Sequence, residues 1–249
     1  MPDNVLDAIL QTLPRGWQAV YVYIGVNWTI SLVQNKAGEQ QAGLAATPSP
    51  ERVAVQARFA PGLNRLEMAD ATELATLAHS PDSVASAVGF ATLNALLHPA
   101  PEQLSSIDAG DWLQEHGRNK KVAMVGRFPF KEELDEVAEK LWVLELKPLP
   151  GEYSSEEASR ILPQAEIVAI TASTLINHTL EGLLKAVRPQ TKVVLLGPTT
   201  PLTPVLFDYG VDLLCGVQVA ELEPLLASIK QGVSFRHMQG LKRVSLARS

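Results

Sequence analysis

"KVAMVGRFPFKEELDEVAEKLWVLEL", residues 121–146, decides the fold class. The runs "KVAMVG" and "LWVLEL" at its two ends are apolar without strict alternation, which suits strands covered on both faces. Between them Leu134, Val137, Ala138 and Leu141 recur at helical spacing on one face. Glu132 and Glu133 fall in the first turn, where the helix dipole favours acids. A strand, a helix and a second strand in that order join most simply as a right-handed crossover between parallel strands. The apolar runs continue with "AEIVAIT" (165–171), "KVVLLG" (192–197) and "VDLLCGV" (211–217). A Rossmann-like parallel α/β domain is therefore expected from residue 108 to 249.

Upstream the pattern changes. After an amphipathic helix carrying Val5, Leu6, Ile9, Leu10 and Leu13 on one side, "WQAVYVYIGVNWTISLVQ" (17–34) is rich in β-branched and aromatic residues. It reads as a hairpin broken at Gly25 to Asn27, followed by a turn and a third strand in "NKAGEQQAGLAAT" (35–47). Helices are expected near 67–79 and 81–97, the second starting where Ser80 accepts first-turn N–H bonds and Pro81 needs no donor. The proline-rich segment "HPAPEQLSSIDAGD" (98–111) marks the boundary, giving an N-terminal α+β domain over 1–107, and a short helix is expected around Trp112.

Composition bounds the function. A hydrophobic fraction of 46% over 249 residues fills a substantial core. An N-terminus without a basic region and the lack of 18 uncharged apolar residues in a row argue against a leader and a membrane span, so a cytoplasmic protein is expected. The single Cys215 excludes an internal disulfide. A net charge of −6 argues against nucleic acid as a partner, and the basic tail from Arg236 onward reads as a solvated end or an edge strand. A homo-oligomer is left open.

In open parallel sheets, ligands bind outside the carboxyl ends of the strands. Those ends carry "GRFPF" (126–130), Glu145, "TASTLINHTLEG" (171–182), "GPTTPLTP" (197–204), and Cys215 with Gly216. Prolines stiffen the fourth of these while Thr199, Thr200 and Thr203 offer hydroxyls; a turn that merely stops the strand is the plainer account. Glu145 follows Gly126 at about the 20-residue spacing of a ribose-binding acid, yet "GRFPF" lacks the glycine fingerprint, which disfavours ordinary dinucleotide binding. Asn177 or Thr179 also has a plain role as a helix cap.

The stretches "VYIGVNWT" with "GLAAT", "VGFATLNALL", "VAMVGRFPF", "ITASTLINHTLEGLL" and "LLGPTTPLTPVLFDYGVDLLCGV" resemble, in order and spacing, the heavy-metal chelation family of uncharacterised prokaryotic proteins. The resemblance covers nearly the whole chain. It implies an N-terminal domain similar to that of enolase, a Rossmann-like domain, and a site in the cleft between them. On it, Asn94, the turn with Gly126, Arg127 and Phe128, the segment with Thr171, Ser173, Thr174, Asn177 and Thr179, and the loop with Gly197, Pro198, Thr199 and Thr200 line that cleft.

A heavy or divalent metal ion, or a metal complex, is the ligand this implies. One cysteine and five scattered histidines provide no closely spaced ligand pair, so a site needs spatial convergence, for which Glu145, His178 and Cys215 are the candidates. The plainer roles are a buried small hydrophobe for Cys215 and a first-turn polar residue for His178. The other reading is a small anionic metabolite held by backbone N–H groups, hydroxyls and Arg127, unless Arg127 pairs with Glu132 or Glu133 at the surface. Were it turned over, Glu145 is the candidate general base, since burial raises a carboxylate's pKa. No standard nucleophile, Walker or zinc-hydrolase motif is present to assign a reaction.

Overall fold

The computed structural model describes residues 4–48 and 69–248. Strands β1 (Trp17–Ile24), β2 (Trp28–Asn35) and β3 (Gln40–Ala46) form an antiparallel sheet in sequence order. This is the expected hairpin and third strand, with the break at Gly25–Asn27 as the turn. The helix expected near 67–79 is an α-helix over Ala71–Ala75 continued as a 3-10 turn over Thr76–His79; residues 67 and 68 lie outside the described residues.

The helix Ser83–Leu96 lies across this sheet and is buried on nearly every side, which is why its sequence is apolar all round instead of amphipathic. Its N-cap is Asp82, whose Oδ1 accepts from the Val84 and Ala85 N–H groups at 3.0 and 2.8 Å. Ser80 was expected in that role, but its Oγ accepts instead from the Asp82 N–H, two residues before the helix cap. Helix and sheet meet at Gly43, where a Cβ would come within 2.1 Å of the Ala95 nitrogen and 2.3 Å of the Ala91 oxygen. Only glycine permits so close an approach.

The larger sheet contains β4 (Lys121–Val125), β5 (Lys140–Glu145), β6 (Tyr153–Ser154), β7 (Ile167–Thr171), β8 (Lys192–Leu196), β9 (Leu213–Val219) and β10 (Leu241–Ala247). Their order is β10-β9-β8-β7-β4-β5-β6. All neighbours are parallel except β9 and β10, so the basic tail is an antiparallel edge strand. The five strands expected after residue 120 are present, with ends shifted by a residue or two. Strand order reverses between β4 and β7: the chain first builds outward to β6, then returns to the other side of β4. Reversal splays the connections apart and leaves a crevice over the carboxyl ends of those two strands.

The largest buried cluster joins both sheets, running from Ile9, Phe90 and Leu93 to Ile170, Leu195 and Leu214. The connecting segment is tied down as well. Ser105 and Ser245 exchange N–H···O=C bonds of 2.9 Å, docking the segment on β10, and the expected short helix follows at Ala109–His116. Among the described residues no helix is long and apolar enough to cross a membrane.

Candidate functional site

A cavity of about 880 Å³ opens over the reversal point. The loop after β4 lines it with Phe128, Pro129 and Phe130, the start of the β7 connection with Thr171, Ala172 and Ser173, and the β8 end with Leu196 to Thr199. Cys215 and Gly216 of β9 contribute from the middle of their strand. Trp28 and Ala46 reach it from the antiparallel sheet, Asp108 to Asp111 from the helix after the connecting segment, and Ser234 to His237 with Arg243 from the C-terminal stretch. Seven of the sequence-designated residues thus share one cavity: Phe128, Thr171, Ser173, Gly197, Pro198, Thr199 and Cys215.

The others are elsewhere, each for a structural reason. Arg127 turns away to a carboxylate. Its Nε and Nη2 donate to the two Glu152 oxygens at 2.8 and 2.6 Å, and Nη2 also donates to the Lys147 carbonyl at 2.7 Å. Glu152 in turn accepts from the Leu149 N–H at 2.7 Å, so the pair folds the loop between β5 and β6. The Arg127 guanidinium holds the Glu152 carboxyl at a pKa of about 2, far below the usual carboxylate range. Neither Glu132 nor Glu133 is the partner weighed against ligand binding. Glu145 lies 4.0 Å from Arg127 Nη1 and accepts from its neighbour's N–H at Leu146, outside the cavity lining. Gly126 takes a left-handed φ of +105°, and a Cβ there would sit 2.9 Å from the Thr171 side chain; its role is to let β4 and β7 turn closely past each other.

Asn94 is a clasp. Its Nδ2 donates to the Leu44 carbonyl at 2.9 Å and to the Thr199 carbonyl at 3.1 Å. Thr199 completes the join by accepting the Ala46 N–H on Oγ1 at 2.9 Å. Thr200 is buried and faces a small crevice beside Asn94. Thr203 Oγ1 accepts from the Val205 N–H and caps the 3-10 turn Pro204–Tyr209. Thr174 donates its hydroxyl to the Thr171 carbonyl at 2.7 Å, and Asn177 Oδ1 accepts both the N–H and the hydroxyl of Thr179, at 3.2 and 2.6 Å. The hydroxyls of Thr174, Thr179, Thr199 and Thr203 are thus spent on the fold, whereas the buried Thr200 Oγ1 has no hydrogen-bond partner among the described residues and Thr171 and Ser173 line the cavity.

The three residues proposed to converge on a metal do not do so. His178 sits at φ +58° with Nε2 2.9 Å from the Ser80 carbonyl, beside a separate cavity of about 140 Å³ shared with His79 and Glu181. Cys215 is buried, which pushes its thiol up to about 12, with the nearby Asp108 charge acting in the same direction. Among the described residues no group of three or more His, Cys, Asp or Glu side chains is gathered to hold an ion. Among the described residues the donor set does not fit a bare metal.

Beside the designated Phe128, residues that sequence reasoning passed over face the cavity: Trp28, Phe130, Phe235 and Arg243. Trp28 and Phe235 meet with ring centroids 5.8 Å apart at 49°, and Phe128 and Phe130 stack at 5.4 Å with planes 1° apart. Arg243 lies 5.2 Å over the Phe235 ring and 3.8 Å from Asp108. The Trp28 Nε1–H is buried without an acceptor among the described residues. The available signal was the pairing of Phe235 with Arg236 and Arg243 in a tail read only for its charge.

Residues 108–248 match the family described as "Putative heavy-metal chelation", and residues 6–97 match a second family of the same description. A curated relative, an uncharacterised protein of Methanocaldococcus jannaschii, is 26% identical over 178 residues, covering 69% of each chain. Two crystal structures of DUF364-family proteins of unknown function share the fold. One, from Desulfitobacterium hafniense, superposes with a TM-score of 0.83 at 23% identity over 98% of both chains. The other, from Pyrococcus horikoshii, gives 0.84 at 23% identity over 98% of this chain and all of that one.

Proposed function

The chain belongs to the heavy-metal chelation family, and from that premise we propose that it binds a small anionic organic molecule, or the metal complex of one, in the cavity over the β4 and β7 ends. On this reading the metal arrives already held by its organic chelator. The supporting observation is the contrast within one site: a cavity of about 880 Å³ bordered by aromatic rings and by Arg236 and Arg243, with no assembled set of protein ligands among the described residues. Ligand pockets of this size take a drug-sized organic molecule, whereas a structural or catalytic ion needs three or four converging donors.

We also propose that the cavity is a cleft between two domains, an enolase N-terminal-like unit over 1–107 and a Rossmann-like unit over 108–249. The strand order supports the second assignment, since it reverses once about β4 as in doubly wound dinucleotide folds. Trp28 and Ala46 from the first unit face the strand ends of the second, which supports a cleft, and the three-stranded antiparallel sheet followed by helices supports the α+β assignment of the first.

Native mass spectrometry of the full chain, purified gently from its own host and paired with elemental analysis, tests the binding reading. A retained organic mass, with or without a stoichiometric metal, is expected. A bare ion retained with no organic mass would overturn it, as would a protein carrying neither.

A further inference from the structure

Resting on that reading, we infer that the ligand is a flat aromatic anion that stacks on the rings bordering the cavity and turns its charge toward Arg236 and Arg243. Two features of the cavity carry this. Two aromatic pairs border it from different parts of the chain, Trp28 with Phe235 and Phe128 with Phe130. Such faces reward a planar ring by stacking, which an aliphatic acid of equal charge cannot match. Second, Arg236 and Arg243 border the cavity from the same stretch as Phe235, and Arg243 rests over the Phe235 ring at 5.2 Å, so guanidinium and aromatic face belong to one contiguous surface. Arg243 also lies 3.8 Å from Asp108, and Asp111 and Glu133 border the cavity from two helices of the larger unit, so the ligand's anionic group belongs at the C-terminal stretch and away from those helices.

The test uses matched probes on the full chain: benzene-1,3-dicarboxylate, glutarate, which has the same carboxylate spacing without the ring, and inorganic phosphate. Titration calorimetry is expected to show the aromatic diacid binding about tenfold tighter than glutarate, with phosphate weakest. Phe235→Leu keeps an apolar side chain and removes the ring, and is expected to weaken the aromatic diacid by about tenfold while leaving glutarate unchanged. Arg236→Gln with Arg243→Gln lies on the exposed surface and provides a second variant should Phe235→Leu melt early; the same probe is expected to lose most of its binding. Equal affinity for glutarate, or an aromatic diacid indifferent to both variants, overturns the inference. So does failure of every probe to bind. In that case an organic adduct found by native mass spectrometry would leave the binding reading standing, and its absence would remove both.

Discussion

The loop 197–204 and the stretch 234–243 border the same cavity and do opposite jobs. The loop is rich in hydroxyls, yet Thr199 and Thr203 accept backbone N–H groups and all three threonines are buried. The C-terminal stretch is charged and exposed, and it places an aromatic ring and two guanidinium groups beside the cavity. The first joins the two sheets; the second, on the proposed function, meets the ligand. Polar composition at a strand end is thus a poor guide to binding until the internal demand for its hydrogen bonds has been counted.

The scaffolding side of that comparison breaks most sharply at Gly43. Valine there drives a side chain into the Ala95 and Ala91 backbone and should separate the helix Ser83–Leu96 from β3, taking Asn94 away from Thr199. A loss of about 3 kcal/mol or more is expected in urea unfolding. Thr199→Val is gentler. It keeps the shape but leaves the Ala46 N–H without an acceptor, and about 1–3 kcal/mol should be lost. If Thr199→Val were neutral for stability and damaging to ligand binding, the loop would have to be reassigned to the ligand.

Arg127 and Glu152 sharpen the comparison from a third direction, because the arginine that sequence reasoning assigned to the ligand is engaged in the fold. Glu152 has its pKa lowered from 4.5 to about 2 by the Arg127 hydrogen bonds. A depressed carboxyl contributes its stability above the unfolded value and loses it as pH falls through the folded one. Stability should therefore decline as pH drops from 4.5 toward 2, and Glu152→Gln should flatten that part of the curve without altering the slope above it. Thermal melts across that window check it.

Much of the architecture was legible because apolar period and element length are local properties. "KVAMVG" and "KVVLLG" declare buried strands wherever they lie, and the break at Gly25–Asn27 declares its hairpin. Asp82 displaced Ser80 as a cap because both sit within one turn, where sequence offers two acceptors and only backbone angles choose. The site was half legible. Strand ends after β4, β7 and β8 were found from topology alone, but the fate of each side chain depends on a partner far away in sequence. Arg127 meets Glu152 25 positions on, Asn94 meets Thr199 105 positions on, and Trp28 meets Phe235 across nearly the whole chain. No spacing rule reaches that far.

The smallest effect is the most informative. Arg236→Gln combined with Arg243→Gln removes two exposed charges, one of them 3.8 Å from Asp108 and only weakly paired in water. Stability should change by no more than about 0.5 kcal/mol, since neither residue fills the core or satisfies a buried group. Asp108 keeps its own structural task, accepting the Gly110 N–H at 2.8 Å as the helix cap, whether or not Arg243 is present. A double variant that melts with the wild type and no longer binds the aromatic diacid separates ligand recognition from folding at this edge of the sheet. A double variant that unfolds early would instead make the C-terminal stretch a second clasp like the threonine loop, and the contrast between the two regions would disappear.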